Sequence, residues 1–121
     1  MRYFYDSYAI IEYINDNPAF TKYFEESSGI LTVMNLLEVG YSSFVESGKE
    51  KTEIILKKLW PLIAQPTEEE VLESIIFRKL NNKRNLSYTD CIGYIIAVKR
   101  GMKFLTGDIQ FEGLQGVEFV K

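Results

Sequence analysis

The chain of 121 residues contains no histidine, and this absence removes several kinds of chemistry at once. Ser-His-Asp catalysis, Cys-His catalysis and His-ligated zinc all require an imidazole. The only cysteine is Cys91, which excludes an internal disulfide and makes a reducing, cytoplasmic compartment the expectation. Any catalysis must therefore come from carboxylates, hydroxyls, amines, guanidinium groups, tyrosines or one thiol.

Long apolar runs and an excess of positive charge are missing as well. The N-terminal residues 1–6 lack the apolar run of a signal peptide, and no apolar stretch approaches the length of a membrane span. The net charge of −3 argues against binding nucleic acid by bulk electrostatics alone, because such domains are usually basic. It leaves open an enzyme that reaches phosphates through metal ions. The length predicts a single domain over residues 1–121.

Short apolar runs alternate with stretches of helical periodicity along the chain. The predicted strands cover residues 2–6, 30–32, 62–64, 104–106 and 117–120. Helices are predicted at about 8–15, from Pro18 toward Gly29, and at about 36–48, 54–61, 67–80 and 87–101. Trp60 and the phenylalanines are expected in the core. Strands that alternate with helices predict an α/β protein, with a mostly parallel sheet of four to five strands and helices on both faces.

Four acids lie where such a fold would bring them together. Asp6 ends the first strand, Asp108 follows the strand at 104–106, and Asp90 lies in the first turn of a helix. Glu38 has apolar neighbours near the start of another helix, which makes it a candidate for burial. Ligands of open α/β sheets bind beyond the carboxyl ends of the strands. The pattern therefore predicts an acidic pocket at that edge.

Each acid alone also has a purely structural interpretation. Asp6 can begin a helix, Asp90 can belong to a capping box with Ser87, Asp108 can be a turn residue, and Glu38 can lie on a helix surface. Together, four hard oxygen ligands suit Mg²⁺ or Mn²⁺. One or two such ions activate a water and stabilise in-line displacement at a phosphodiester.

Four ordered motifs carry a resemblance to a known family. They are Asp6-Ser7-Tyr8-Ala9-Ile10-Ile11, Asn35-Leu36-Leu37-Glu38-Val39, Leu86-Ser87-Tyr88-Thr89-Asp90-Cys91 and Phe104-Leu105-Thr106-Gly107-Asp108-Ile109-Gln110-Phe111. In order and spacing, over the whole chain, they resemble the PIN-domain family, especially its toxin-like ribonucleases of the VapC type. The one visible departure is Cys91, where the family often has alanine, and we expect it to be a packed helix residue.

The resemblance implies a three-layer α/β/α fold, Mg²⁺ or Mn²⁺ as cofactor, and endoribonuclease activity on RNA. The acids that carry over as catalytic metal ligands are Asp6, Glu38, Asp90 and Asp108. Thr106 and Ser7 carry over as hydroxyls that orient these acids or a water, with Thr106 among the catalytic groups and Ser7 toward the substrate. The resemblance also implies a homodimer and a cognate antitoxin protein that fills the pocket.

A basic segment precedes the third motif and contains Arg78, Lys79, Lys83 and Arg84. These side chains are candidates for holding RNA phosphates near the acids. The alternative is a solvated helix end, where cations interact favourably with the helix dipole. Two tyrosines beside the acids, Tyr8 and Tyr88, are either stacking surfaces for bases or ordinary packed and surface residues.

Other functions compete with the ribonuclease interpretation. A receiver-like phosphoacceptor domain has a similar length, but it needs paired acids after the first strand and an aspartate after the third, and residues 62–66 contain none. A non-catalytic module would have no use for four clustered acids. A PIN nuclease that processes RNA outside any toxin system shares the same site. A structure-specific DNA nuclease would need further elements to grip a duplex.

Overall fold

The computed structural model describes all residues, 1–121, and is built on one parallel sheet. Its strands are β1 (Arg2–Tyr5), β2 (Ser28–Ile30), β3 (Lys103–Thr106) and β4 (Val117–Phe119). They lie in the order β2-β1-β3-β4, and every neighbouring pair is parallel. Tyr3 of β1 is in register with Gly29 on one side and Lys103 on the other. The first and third strands in sequence therefore form the centre of the sheet.

Six helices surround this sheet. Helices α1 (Ser7–Ile14) and α2 (Pro18–Glu25) connect β1 to β2, and Pro18 lies in the first turn of α2 as expected. Helices α3 (Val33–Ser47), α4 (Lys49–Leu59), α5 (Glu68–Leu80) and α6 (Tyr88–Lys99) connect β2 to β3. The predicted α/β class, with a central parallel sheet and helices on both faces, is confirmed.

Successive strand side chains point to opposite faces, so the sheet separates two hydrophobic clusters. Tyr3 and Tyr5 face a cluster formed with α1, α2, α3 and α4. Phe4 and Phe104 face the other cluster, which α6 dominates, and their rings stack with centroids 5.7 Å apart. Cys91 belongs to this second cluster and is 1 % exposed, so its expected role as a packed helix residue is confirmed.

Capping explains where two of the helices begin. Thr67 and Glu70 form a capping box at the start of α5, in which each side chain accepts a hydrogen bond from the other residue's backbone N–H. Ser87 and Asp90 do the same at the start of α6. Both boxes were predictable from the sequence, because each hydroxyl residue is followed three positions later by an acid.

The predicted strand at 62–64 is wrong. Trp60–Leu62 forms a 3₁₀ turn. Only Ile63 pairs with another segment, through a single parallel bridge to Leu31, the residue that follows β2. Prolines at 61 and 66 flank this segment, and a proline has no N–H to give to a ladder. The second strand also lies earlier than predicted, because Thr32 already serves as the N-cap of α3.

Trp60 and Phe44 are not in the core, contrary to expectation. Trp60 is 63 % exposed and Phe44 is 55 % exposed. Helix α3 is apolar on two sides, so that Leu36 and Val39 pack inward while Phe44 faces outward. A shallow apolar groove of about 400 Å³ lies between α3, α4 and Trp60.

No helix has both the length and the apolar character needed to cross a membrane.

The close approach of α6 to the sheet requires a glycine at position 93. A Cβ atom there would lie 2.6 Å from the ring of Phe4, which is completely buried. We expect Gly93→Ala to lower the free energy of unfolding by roughly 1–3 kcal/mol through overpacking. Urea denaturation of the purified variant measures this change.

Gly40 provides the matched control, because it also lies in a helix that packs in the core. A Cβ atom at Gly40 would come no closer than 3.4 Å to Leu56, an ordinary van der Waals distance. Gly40→Ala should therefore be neutral or stabilise by up to about 1 kcal/mol, as in a helix interior. Equal stability of the two variants would contradict the tight α6 packing.

Candidate active site

The carboxyl ends of the two central strands define the site. Asp6 follows β1 directly and is the N-cap of α1, and Asp108 lies two residues beyond the end of β3. Asp90 is in the first turn of α6, and Glu38 is in the second turn of α3. The charges of Asp90 and Asp108 act on Asp6, and those of Asp108 and Glu38 act on Asp90. The fold therefore gathers the four predicted acids into one electrostatic neighbourhood.

Asp6 is the buried centre of this group, with only 3 % of its surface exposed. The hydroxyl of Thr106 donates a hydrogen bond to Asp6 Oδ2 over 2.6 Å. The same oxygen of Thr106 accepts a bond from the backbone N–H of Asp108 over 3.0 Å. Thr106, which is wholly buried, thus fixes both acids at the ends of β1 and β3.

Burial raises the pKa of Asp6 from its ordinary value of 3.8 to about 7. The hydrogen bond from Thr106 opposes this rise, whereas the negative charges of Asp90 and Asp108 add to it. No lysine or arginine forms an ion pair with any of the four acids. The ion pairs of the protein join α5 to α6 instead, through Lys99 with Glu69 and Glu73 and through Arg100 with Glu70.

Asp90 and Asp108 serve the backbone as well as the pocket. Asp90 Oδ2 accepts a bond from the N–H of Ser87 over 2.9 Å, and Asp108 Oδ1 accepts one from the N–H of Gln110, also over 2.9 Å. Burial raises the pKa of Asp90, and the charges of Asp108 and Glu38 raise it further, against the bonds from Ser87. The capping and turn interpretations of these two acids are correct, and the charges of both acids still act on Asp6.

The expected burial of Glu38 is wrong, because its side chain lies on the exposed side of α3. Its apolar neighbours Leu36 and Val39 take the inward positions of the helix instead. Ser7 nevertheless connects Glu38 to the site, since its hydroxyl donates to Glu38 Oε1 over 2.6 Å. Ser7 in turn accepts a bond from the side-chain amide of Asn35 over 2.9 Å.

Asn35 is a site residue that the sequence analysis did not single out. It is completely buried and lies three residues before Glu38. A polar residue at the third position of an otherwise apolar helix start, three residues after Thr32, has the spacing of a capping box. That spacing was the available signal.

The donor set fits a hard divalent cation in its chemistry, since every candidate ligand is a carboxylate or hydroxyl oxygen. The buried carboxyl of Asp6 also lacks a cationic partner. The structure does not, however, hold three or more of the acids close enough together to form a ready-made metal-binding group. Like charges repel, and the three outer acids are each held by a hydrogen bond of their own.

The basic segment is only partly free to contact a ligand. Arg78 donates to the carbonyl of Leu86 over 3.2 Å and lies 4.2 Å above the ring of Tyr88. Arg84 donates to the carbonyl of Gln110 over 3.0 Å, so it ties the segment to the turn after Asp108. Tyr88 remains 70 % exposed.

Two further lysines of this segment, Lys79 and Lys83, are exposed and form no ion pair. Tyr8 is half-buried and packs against the first hydrophobic cluster. An RNA-binding role for Arg78, Lys79, Lys83 and Arg84 stays a prediction.

The fold has a known counterpart among solved structures. No family model matches the sequence, and no curated protein matches it either. A chain of a structure described as a toxin-antitoxin complex from Klebsiella pneumoniae is similar, with a TM-score of 0.75. The likeness covers 97 % of this chain and 95 % of that chain, at 16 % sequence identity. The two chains therefore share a fold over nearly their whole lengths.

The raised pKa of Asp6 predicts how stability changes with pH. The folded protein binds this proton more tightly than the unfolded chain, whose pKa is near 3.8, so stability falls as pH rises from about 4 to about 7. Asp6→Asn removes this loss, which is on the order of a few kcal/mol. In chelator, the variant should melt at a higher temperature than the wild type at pH 8, and the difference should shrink toward pH 4.

Thermal denaturation in EDTA at several pH values measures this effect. Glu53→Gln is the matched control, because Glu53 is an exposed acid of α4 outside the site. It should leave the pH dependence as in the wild type. If Asp6→Asn and the wild type lose the same stability between pH 4 and pH 8, Asp6 does not ionise in a buried setting.

Proposed function

We propose that this protein is a metal-dependent endoribonuclease and the toxin of a toxin–antitoxin pair. The observation that carries the proposal is the buried carboxyl of Asp6 at the ends of the central strands. Its pKa is raised to about 7 by burial and by the charges of Asp90 and Asp108, and no basic residue forms an ion pair with it. Carboxylates near one another lower the stability of the folded protein unless a cation neutralises them. Titratable groups whose pKa is shifted in this way are typical of functional sites.

The residues that would hold Mg²⁺ or Mn²⁺ are Asp6, Glu38, Asp90 and Asp108. A divalent cation bound there supplies a Lewis acid that activates water and stabilises the charge that develops on a phosphodiester. Thr106 keeps Asp6 and Asp108 in place from one side, and Ser7 orients Glu38 from the other. The backbone of Ser87 keeps the carboxylate of Asp90 in a fixed rotamer. These bonds order the side chains of the four acids, which a bound cation would draw closer together.

RNA is supported as the substrate by the four motifs that resemble PIN-domain ribonucleases. Beside Asp90, the exposed ring of Tyr88 offers a surface on which an unpaired base can stack. The exposed Lys79 and Lys83 provide positive charge for phosphates in a protein whose net charge is −3. All three precede Asp90 in the chain.

The toxin role is supported by the shared fold with a chain of a toxin-antitoxin complex. A cognate antitoxin is therefore the expected protein partner. Exposed apolar side chains on α3 and α5, such as Leu37, Tyr41 and Ile75, also suit a protein that works in complexes.

The decisive experiment is incubation of the purified protein with mixed RNAs and DNAs, in Mg²⁺, Mn²⁺ or EDTA. We expect the protein to cleave RNA and not DNA, only when a metal ion is present, and at internal phosphodiester bonds of the RNA. Asp6→Asn and Asp90→Asn should lower the rate about 100-fold, the scale on which loss of a charge-stabilising group at a catalytic site acts. Asp108→Asn should also lower the rate, and an amide oxygen can still accept the main-chain bond from Gln110, so the turn after β3 is kept.

Glu53→Gln, outside the pocket, should cleave like the wild type. Expression in bacteria without an antitoxin should slow growth for the wild type but not for Asp6→Asn. Near-wild-type rates for both Asp6→Asn and Asp90→Asn would show that the acidic pocket is not the active site. Equal cleavage of DNA and RNA would contradict the substrate.

A homodimer is also proposed, on the family resemblance and on the apolar side chains that α5 leaves exposed. Leu72, Ile75 and Ile76 lie on the outside of this helix and are 56 %, 62 % and 48 % exposed. Light scattering should give about twice the monomer mass of 14.0 kDa. Ile75→Glu should shift the mass toward the monomer, whereas Glu53→Gln should not. If the wild type is a monomer at high micromolar concentration, the homodimer proposal is wrong, whereas the nuclease proposal is unaffected.

A further inference from the structure

The side chain of Asn35 makes hydrogen bonds at both of its ends. Its carbonyl oxygen accepts from the backbone N–H of Thr32 over 2.9 Å and from the Thr32 hydroxyl over 2.8 Å. Its amino group donates to Ser7 Oγ over 2.9 Å. Because the backbone N–H of Thr32 can only donate, the amide oxygen of Asn35 must face it, and the amino group therefore faces Ser7.

This contact decides where the Ser7 proton goes. A hydroxyl has one proton to donate, and the oxygen of Ser7 already accepts from Asn35. The proton therefore points to the other neighbour, Glu38 Oε1, 2.6 Å away. Glu38 is the exposed acid of the pocket, on a long side chain that loses much rotamer freedom when it is fixed.

We propose that Asn35 is a positioning residue for the acidic pocket, which acts on the Glu38 carboxylate through the hydroxyl of Ser7. The inference rests on the proposed function, since it gives Glu38 its place in a metal-binding nuclease site. Partners that orient metal ligands without touching the metal are an established feature of such sites. Asn35 is completely buried, so solvent cannot replace its bond to Ser7.

The chemistry requires an amide at position 35. Capping boxes commonly use glutamate or glutamine at this helix position, and an acid there caps the helix equally well. An ionised carboxylate cannot donate to Ser7, however. In Asn35→Asp one oxygen keeps both bonds from Thr32, while the other faces Ser7 Oγ and takes the proton that Glu38 receives in the wild type. The variant keeps the acceptor of the helix cap and loses the donor that positions Glu38, and its melting curve reports the cost of burying the new carboxylate.

The experiment compares Mn²⁺ affinity, measured by electron paramagnetic resonance without RNA, with the kinetics of RNA cleavage. Asn35→Asp should bind Mn²⁺ about 10-fold more weakly and lower kcat by a similar factor, with KM little changed. Ser7→Ala should act in the same direction. An added negative charge by itself would tighten cation binding, so the expected loss has the opposite sign to the electrostatic effect.

Asn17 supplies a matched control outside the pocket. Its carbonyl oxygen caps α2 through the N–H of Ala19 over 3.0 Å, and its amino group donates to Glu12 over 2.7 Å. Asn17→Asp thus makes the same chemical change in a capping residue, where the amino group faces a carboxylate instead of a hydroxyl. It should leave Mn²⁺ affinity and cleavage unchanged, and melting curves of all variants confirm that they are folded.

A double-mutant cycle with Glu38→Gln tests whether Asn35 acts through Glu38. In that background, Asn35→Asp should no longer weaken Mn²⁺ binding. Unchanged or tighter binding by Asn35→Asp in the otherwise wild-type protein would overturn the proposal, as would an equal loss in the Glu38→Gln background.

Failure of the proposed function would look different, because the wild type would then neither bind Mn²⁺ nor cleave RNA. Nuclear magnetic resonance in EDTA then tests the hydrogen bonds from Asn35 to Ser7 and from Ser7 to Glu38 without any metal or RNA. The side-chain amide protons of Asn35 should shift in Ser7→Ala, and a smaller shift should follow Glu38→Gln. Amide protons that do not respond to Ser7→Ala would overturn the positioning contact, even in an active nuclease.

Discussion

The burial of one ionisable carboxyl between the two central strands is the constraint on which the rest of the site depends. Asp6 can be there only because Thr106, on the neighbouring strand, donates to it and offsets part of the cost of desolvation. The parallel register of β1 with β3 sets that contact, and two hydrophobic clusters hold the register from both faces of the sheet. Packing far from the pocket therefore determines the charge state within it.

The three acids other than Asp6 are held by hydrogen bonds at the starts of helices and in a turn, which are common features of α/β proteins. Asp90 completes a helix cap, Asp108 stabilises a turn, and Glu38 receives its bond through a serine that begins α1. An acid that caps a helix is already ordered, so its use in a pocket costs little further entropy. The structural and functional interpretations of these residues are for this reason not alternatives.

Local patterns in the sequence predicted the parts of the fold that depend on local physics. Strand ends followed by acids, and capping boxes such as Ser87 with Asp90, are short-range signals, and both are present in the structure. The strand at 62–64 failed because an apolar tripeptide does not reveal that flanking prolines restrict its pairing. Periodicity also could not show that Glu38 and Phe44 face outward, since α3 is apolar on more than one side. Long-range contacts such as Asn35 with Ser7 have no local signature beyond the cap spacing.

The pair that anchors the pocket joins residues 100 positions apart in a chain of 121. Chains are made from the N-terminus, so Asp6 leaves the ribosome long before its partner strand exists. Until β3 has emerged and inserted beside β1, the carboxyl has neither its hydrogen bond nor its neighbouring acids. A nascent chain therefore cannot assemble the site before β3 has been synthesised and has left the ribosome. For a ribonuclease of the kind proposed, this topology keeps the site incomplete until β3 has been made.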